Sequence, residues 1–175
     1  MRKITILTLL LILPILTNAK DKYDPECKIS SFDSSKTCFI RPYGAWVDDK
    51  KSVLGFVSFG GTWVSSTPNN IGLTIFYGDG IVNIDTISFN IDGDISTFKT
   101  ELMSNKSSTE GRLSNTTALA IIPLDYLEKI LNGRDVKYRL TTLSNGYREG
   151  ALIGPKGEST AFKGLKGLFK SIQFK

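Results

Sequence analysis

The sequence predicts an α+β domain, mainly antiparallel β, with a β-sandwich-like core, a short helix and a C-terminal amphipathic helix. Three observations lead there. Apolar residues alternate with polar ones over 71–77 and again over 136–140, the period-two signature of half-buried strands. Glycine- and asparagine-rich turns punctuate the chain between such runs. Two late segments, 123–132 and 159–172, carry helical spacing with start and stop signals. Many short strands followed by two short helices fit a layered α+β domain.

Residues 1–19 read as a signal peptide. Met1-Arg2-Lys3 is a positive n-region, residues 4–16 are apolar apart from Thr5, Thr8 and Pro14, and Thr17-Asn18-Ala19 offers small residues for cleavage before Lys20. The apolar stretch is shorter than the roughly 20 residues that span a bilayer. Residues 20–175 are therefore expected to form a single exported domain, periplasmic in a Gram-negative host and secreted otherwise. Losing Arg2 and Lys3 with the leader lowers the 22 basic residues to 20 against 17 acidic ones, a net +3. Those charges interleave rather than cluster, so no nucleic-acid partner is expected.

Along the mature chain, residues 20–52 are polar and read as an irregular N-terminal segment. Its two cysteines, Cys27 and Cys38, are the only ones in the sequence, and in an oxidising compartment they are expected to form a disulfide. Residues 53–59 read as the first strand, broken by Gly60-Gly61, with residues 62–65 following. Thr67-Pro68-Asn69-Asn70 is a turn, residues 71–77 a strand, and Gly78-Asp79-Gly80 a hairpin turn. In residues 81–91 the apolar phase slips between Ile84 and Ile87, which calls for a bulge near Asp85-Thr86, since a one-residue shift sends side chains to the other face. Asp92-Gly93-Asp94 turns the chain into residues 95–100, and residues 103–117 read as a mobile polar loop. Residues 118–122 form a buried-type strand. Pro123 suits a first helical position, and Asn132-Gly133 stops that helix. Residues 136–140 and 147–153 pair as a hairpin across Ser144-Asn145-Gly146, Gly154-Pro155-Lys156-Gly157 breaks the chain, and Ser159 caps the last helix.

The chain contains no histidine. Ser-His-Asp and Cys-His chemistry and the common catalytic zinc sites all need an imidazole, so no catalytic residue, metal ligand or cofactor is assigned. Asp79, Asp85, Asp92 and Asp94 sit in turns without the closing glutamate of a calcium loop. A carboxylate pair would still allow glycoside hydrolysis if two converged in a cleft. Asn105-Lys106-Ser107 and Asn115-Thr116-Thr117 match the glycosylation sequon and are expected in the exposed loop. Tyr43, Trp46, Trp63 and Tyr77 are candidates for lining a partner groove. On the last helix Phe162, Leu165, Leu168, Phe169 and Ile172 share one side and Lys163, Lys166 and Lys170 the other. Gly164 and Gly167 favour docking of that helix, because each lowers helix propensity by about 1 kcal/mol unless close packing compensates.

From residue 118 on, the order resembles small periplasmic proteins of the invasion-associated locus B type. Ile122-Pro123-Leu124-Asp125-Tyr126-Leu127, Leu131-Asn132-Gly133, Val136-Lys137-Tyr138, Leu152 and Ala161-Phe162-Lys163-Gly164-Leu165 carry the resemblance. It implies a β-sandwich-like, non-enzymatic accessory protein of the cell envelope and brings no catalytic residue. The expected function is thus a non-catalytic exported binding or accessory protein recognising a protein or envelope polymer. Trp46, Trp63, Tyr77, Lys163, Lys166 and Lys170 are its expected contact residues. The alternative is a membrane-surface or acidic-partner binder acting through the basic C-terminal helix, and a carboxylate-dependent hydrolase ranks third.

Overall fold

Alternation along the chain is realised as two packed antiparallel sheets. The computed structural model describes residues 21–48, 56–78, 80–110, 113–144 and 146–173. The leader, residues 53–55 of the first expected strand, Asp79 and Asn145 lie outside the described residues. In chain order the strands are β1 (Glu26–Ile29), β2 (Lys36–Gly44), β3 (Trp46–Val47), β4 (Val57–Val64), β5 (Asn70–Tyr77) and β6 (Ile84–Ile91). They continue with β7 (Asp94–Lys99), β8 (Lys106–Glu110), β9 (Leu113–Pro123), β10 (Val136–Thr142), β11 (Tyr147–Gly154) and β12 (Gly157–Glu158). Helix α1 (Leu124–Asn132) follows β9, and α2 (Thr160–Gln173) follows β12. The first sheet has the order β1-β2-β4-β5-β9-β8 and the second β12-β11-β10-β6-β7, with β3 beside β11.

The inward phases of both sheets make one core. Phe59 of β4 meets Phe89 of β6 at 6.2 Å and Tyr138 of β10 at 5.0 Å between ring centroids, joining the layers. Ile71, Leu73, Ile75 and Tyr77 all turn inward from β5, as the period of two dictates. The chain changes sheets at both edges. Beyond Gly44 it leaves β2 and pairs Trp46 with Ala151 and Val47 with Gly150, and beyond β7 Thr100 bridges Ala120 of β9.

The phase slip in β6 is a bulge at Asp85: Thr141 faces Thr86 while Thr142 faces Ile84. Asn105 holds it, accepting the Ile84 N–H at 2.8 Å and donating to the Ile84 carbonyl at 3.0 Å. The turn Asp92-Gly93 is a two-residue loop with φ of 52° and 101° at its centre, the left-handed conformation such hairpins require.

Four expectations about strands and turns need correction. The chain does not close a hairpin between residues 71–77 and 81–91: β5 pairs with β4 and β9 in the first sheet and β6 with β7 and β10 in the second, so the connection passes between sheets. Residues 20–52 are not irregular throughout, since β1, β2 and β3 form there; their polar composition reflects edge or near-edge positions rather than a lack of pairing. Residues 103–117 are not a loop throughout, because β8 and the start of β9 pair from Lys106↔Thr117 to Glu110↔Leu113. Gly60-Gly61 does not break the strand. Both lie inside β4, where a Cβ on Gly60 would sit 2.6 Å from the Ile40 carbonyl oxygen and one on Gly61 2.8 Å from Leu168. The glycines admit the bulged strand β2 on one side and helix α2 on the other.

Helix α1 starts one residue later than expected: Pro123 occupies the cap position with extended backbone, and Leu124 begins the helix. Gly133 ends it in an extended conformation, and its role is space, since a Cβ there would meet Val136 at 2.7 Å and Ile91 at 2.8 Å. Ser159 caps α2 by accepting the Phe162 N–H at 3.2 Å. Phe162, Leu165, Leu168 and Ile172 are buried, as the helical spacing predicts. The small-residue side of α2 runs along the N-terminal region: Thr160 donates to Gly44, Gly164 packs on Tyr43, and Gly167 lies under the Tyr23 backbone. Among the described residues no helix is long and apolar enough to cross a membrane.

Candidate functional site

Two of the expected contact residues are not on the surface. Trp63 is 3% exposed and donates its indole N–H to the Pro68 carbonyl at 3.0 Å; Tyr77 is 2% exposed, with the Arg148 guanidinium 5.8 Å from its ring. They share the inward phase of Phe59 and Ile75, so burial removes them as partner contacts. Tyr43 is half-buried between Gly164 and Tyr23. Trp46 stays at the surface, its Nε1–H donating to the Gly157 carbonyl at 3.2 Å and Lys156 lying 5.7 Å from its ring. Lys163, Lys166 and Lys170 line the solvent side of α2. Lys166 pairs with Glu158 at 3.2 Å and covers the Phe162 ring, which brings it to the residue next to the one Trp46 holds. Trp46 and Lys166 are thus gathered around β12, while Lys170 lies at the far end of the helix.

One recess gathers residues that no sequence motif marks. The outer face of the second sheet carries a groove of about 300 Å³ over β6, β7, β10 and β11. Ser88, Asn90, Ile95, Thr97, Lys137, Arg139 and Glu149 enter it, the outward alternates of residues that build the core. Asp48, just after β3, forms a wall and donates its N–H to the Glu149 carbonyl at 3.0 Å. Close approach of three strands at one end depends on Gly150: a Cβ there would overlap the Trp46 carbonyl oxygen and reach within 2.5 Å of the Tyr138 hydroxyl. That hydroxyl donates to the Trp46 carbonyl at 3.0 Å, and burial pushes its pKa far above the ordinary tyrosine value, so it serves as a neutral donor.

The charges in the groove are largely committed to one another. Arg139 reaches Glu149 Oε1 through Nε at 2.6 Å and Nη2 at 2.5 Å, and its guanidinium lies 4.8 Å from the Tyr147 ring. Lys137 pairs with Asp135 at 2.9 Å, and that hydrogen bond raises the lysine pKa. The hydroxyls of Ser88 and Thr97 meet at 2.7 Å. Among the described residues Asp48 and Glu149 are the carboxylates that line this groove, and Glu149 is held by the Arg139 guanidinium.

Other acidic turn residues have local duties. The Asp92 carboxylate accepts the N–H groups of Asp135 and Arg134, which lower its pKa, and Asp94 pairs with Lys129. No group of three or more His, Cys, Asp or Glu residues suited to a metal ion occurs among the described residues. The sequon asparagines are not in a loop with free side chains. Asn105 is spent on the Asp85 bulge, and Asn115 lies in β9, accepting from Ser108 at 3.0 Å. The expected disulfide is present, joining directly paired residues of β1 and β2.

No family model matches the chain, and no curated protein or solved structure is significantly similar to it.

Proposed function

We infer that the chain is a non-catalytic exported recognition domain, an accessory protein of the cell envelope that takes a protein or polymer partner across the groove of the second sheet. The observation that carries this reading is the composition of the groove: hydroxyls, an amide, an aromatic-backed guanidinium and mutually paired charges, set on rigid strands. Such a lining offers directional hydrogen bonds at fixed spacing, which suits recognition of a polar chain along the strands. The leader supports export, and the resemblance of the C-terminal third to invasion-associated locus B type proteins points to the same class.

The test is capture of partners from the protein's own envelope extract with the mature oxidised protein, beside an Arg139→Ala/Lys137→Gln variant and a variant with Gln at Lys163, Lys166 and Lys170. The groove variant is expected to lose its partner while the helix variant keeps it. Loss with the helix variant alone overturns the groove assignment and moves recognition to α2.

A further inference from the structure

At the tip of the β1–β2 hairpin Phe32 is 99% exposed and Ile29 73%. Single exposed apolar residues are ordinary, but this pair is held out by an ordered turn. Ser30 N–H donates to the Ser35 carbonyl at 2.8 Å, and Ser34 N–H to the Ser30 carbonyl at 3.0 Å. The Ser30 hydroxyl accepts the Phe32 N–H at 3.2 Å. Asp33 Oδ1 accepts both the N–H and the hydroxyl of Ser35, at 3.1 Å and 2.8 Å. At the base the disulfide joins Cys27 to Cys38. All four residues of β1 are exposed, while β2 beneath it is anchored in the sheet. A phenyl ring held in water is opposed by the hydrophobic effect, and removing it from water is favourable.

The surroundings of the tip select its partner. Lys28 precedes Ile29 on β1, and Lys36 pairs across from Ile29. The Lys36 ammonium donates to the Ser171 carbonyl at 3.3 Å, which brings the last turn of α2, with the exposed Lys170, beside the hairpin. Among the described residues none of Lys28, Lys36 and Lys170 has a carboxylate within ion-pair reach. The turn has a single carboxylate, Asp33, and it is bonded back into the turn through Ser35. Four serines, Ser30, Ser31, Ser34 and Ser35, flank the phenyl ring with hydroxyls suited to headgroup depth.

We propose that this tip seats the protein on an anionic lipid surface. Phe32 and Ile29 enter the boundary between headgroups and acyl chains, and Lys28, Lys36 and Lys170 lie at lipid phosphates. A convex apolar knob ringed by cations fits a deformable anionic surface, where each lysine near the surface and each buried apolar group adds to the affinity. The contact is peripheral and reversible, since only two side chains insert. It is independent of the groove on the second sheet.

The test is sedimentation of the mature oxidised protein with vesicles of phosphatidylglycerol and phosphatidylethanolamine, and with phosphatidylcholine vesicles as the neutral reference. Binding to the anionic vesicles is expected, falling with added salt. Phe32→Ser with Ile29→Ser is expected to weaken it tenfold or more, and because both side chains are exposed this variant keeps the fold. Lys28→Gln and Lys170→Gln are each expected to weaken it about fivefold. Phe32→Trp is expected to add a blue-shifted emission when anionic vesicles are present. The proposal is overturned by a parent that stays in the supernatant, or by a Phe32/Ile29 variant that sediments like the parent. It is equally overturned by a tip that loses a captured protein on Phe32→Ser while ignoring lipid, which would assign the knob to a protein pocket.

Discussion

Asp33 shows how much order a short exposed turn can hold. Hydrogen bonds from Ser30 and from the Ser35 hydroxyl and N–H bring its pKa down from 3.8 to about 2. A depressed carboxylate contributes its stabilisation above the unfolded value of 3.8 and loses it as pH falls through the folded value. The turn is therefore expected to stay intact from neutral pH to about 4 and to loosen toward pH 2. A carboxyl-detected NMR titration of Asp33 with the Ser35 amide as reporter checks this, and a midpoint near 3.8 would refute it. At the same scale, the legible and the illegible separate by reach. The bulge at Asp85 is readable because the apolar phase slips locally, whereas the amide that clamps it comes from Asn105, twenty residues on and disguised as a sequon. Burial of Tyr77 follows from the alternation it shares with Ile71, Leu73 and Ile75, whereas burial of Trp63 follows only once β4 runs unbroken through Gly60-Gly61 and puts it in phase with Phe59.

Helix α2 decides between a free basic amphipathic helix and a docked one. Its glycines argue for docking, and the structure supplies the contacts: Gly164 against Tyr43 and Gly167 against the Tyr23 carbonyl. Gly167→Ala gives opposite signs in the two cases. On a free helix alanine adds about 1 kcal/mol of helix stability. In the docked helix the new methyl overlaps the Tyr23 backbone oxygen, so a net loss of about 1–3 kcal/mol is expected. Urea denaturation measures it, and a stabilised variant would show that the N-terminal segment does not rest on the helix. Strands β1, β2 and β8 were hidden for an elemental reason. They are edge or near-edge strands rich in Ser, Thr and Lys, with much of their length at the surface, so no apolar alternation marks them.

For the molecule as a whole, the disulfide ties the exposed strand β1 to β2, its one strand neighbour among the described residues. The two cysteines are separated by 11 residues, and closing a loop of that size is worth about 3 kcal/mol in the chain-entropy model. Cys27→Ser with Cys38→Ser is expected to lower Tm by on the order of 6–12 °C for a domain of this size. Calorimetry of the oxidised protein against the variant checks it, and an unchanged Tm would mean that β1 adds nothing to the cooperative unit. The reduced protein is also expected to hold its hairpin tip less firmly, because among the described residues β1 pairs with β2 alone.

The sequence by itself determined the β-rich fold with its two helices, the turns around Pro68, Asp92-Gly93 and Pro155-Lys156, the slip in β6 and the pairing of the only two cysteines. Each of these rests on local spacing or on a choice with a single answer. Tertiary structure alone decided which strands adjoin, how the chain passes between sheets at both edges, and that Gly60, Gly61 and Gly150 are places of close approach rather than breaks. It also decided that outward residues from four separated segments assemble into one groove, while Phe32 and Ile29 are left uncovered at a tip beside the end of α2. The physical reason is that periodicity states which side of a strand faces water, but only long-range packing determines what else faces the same water.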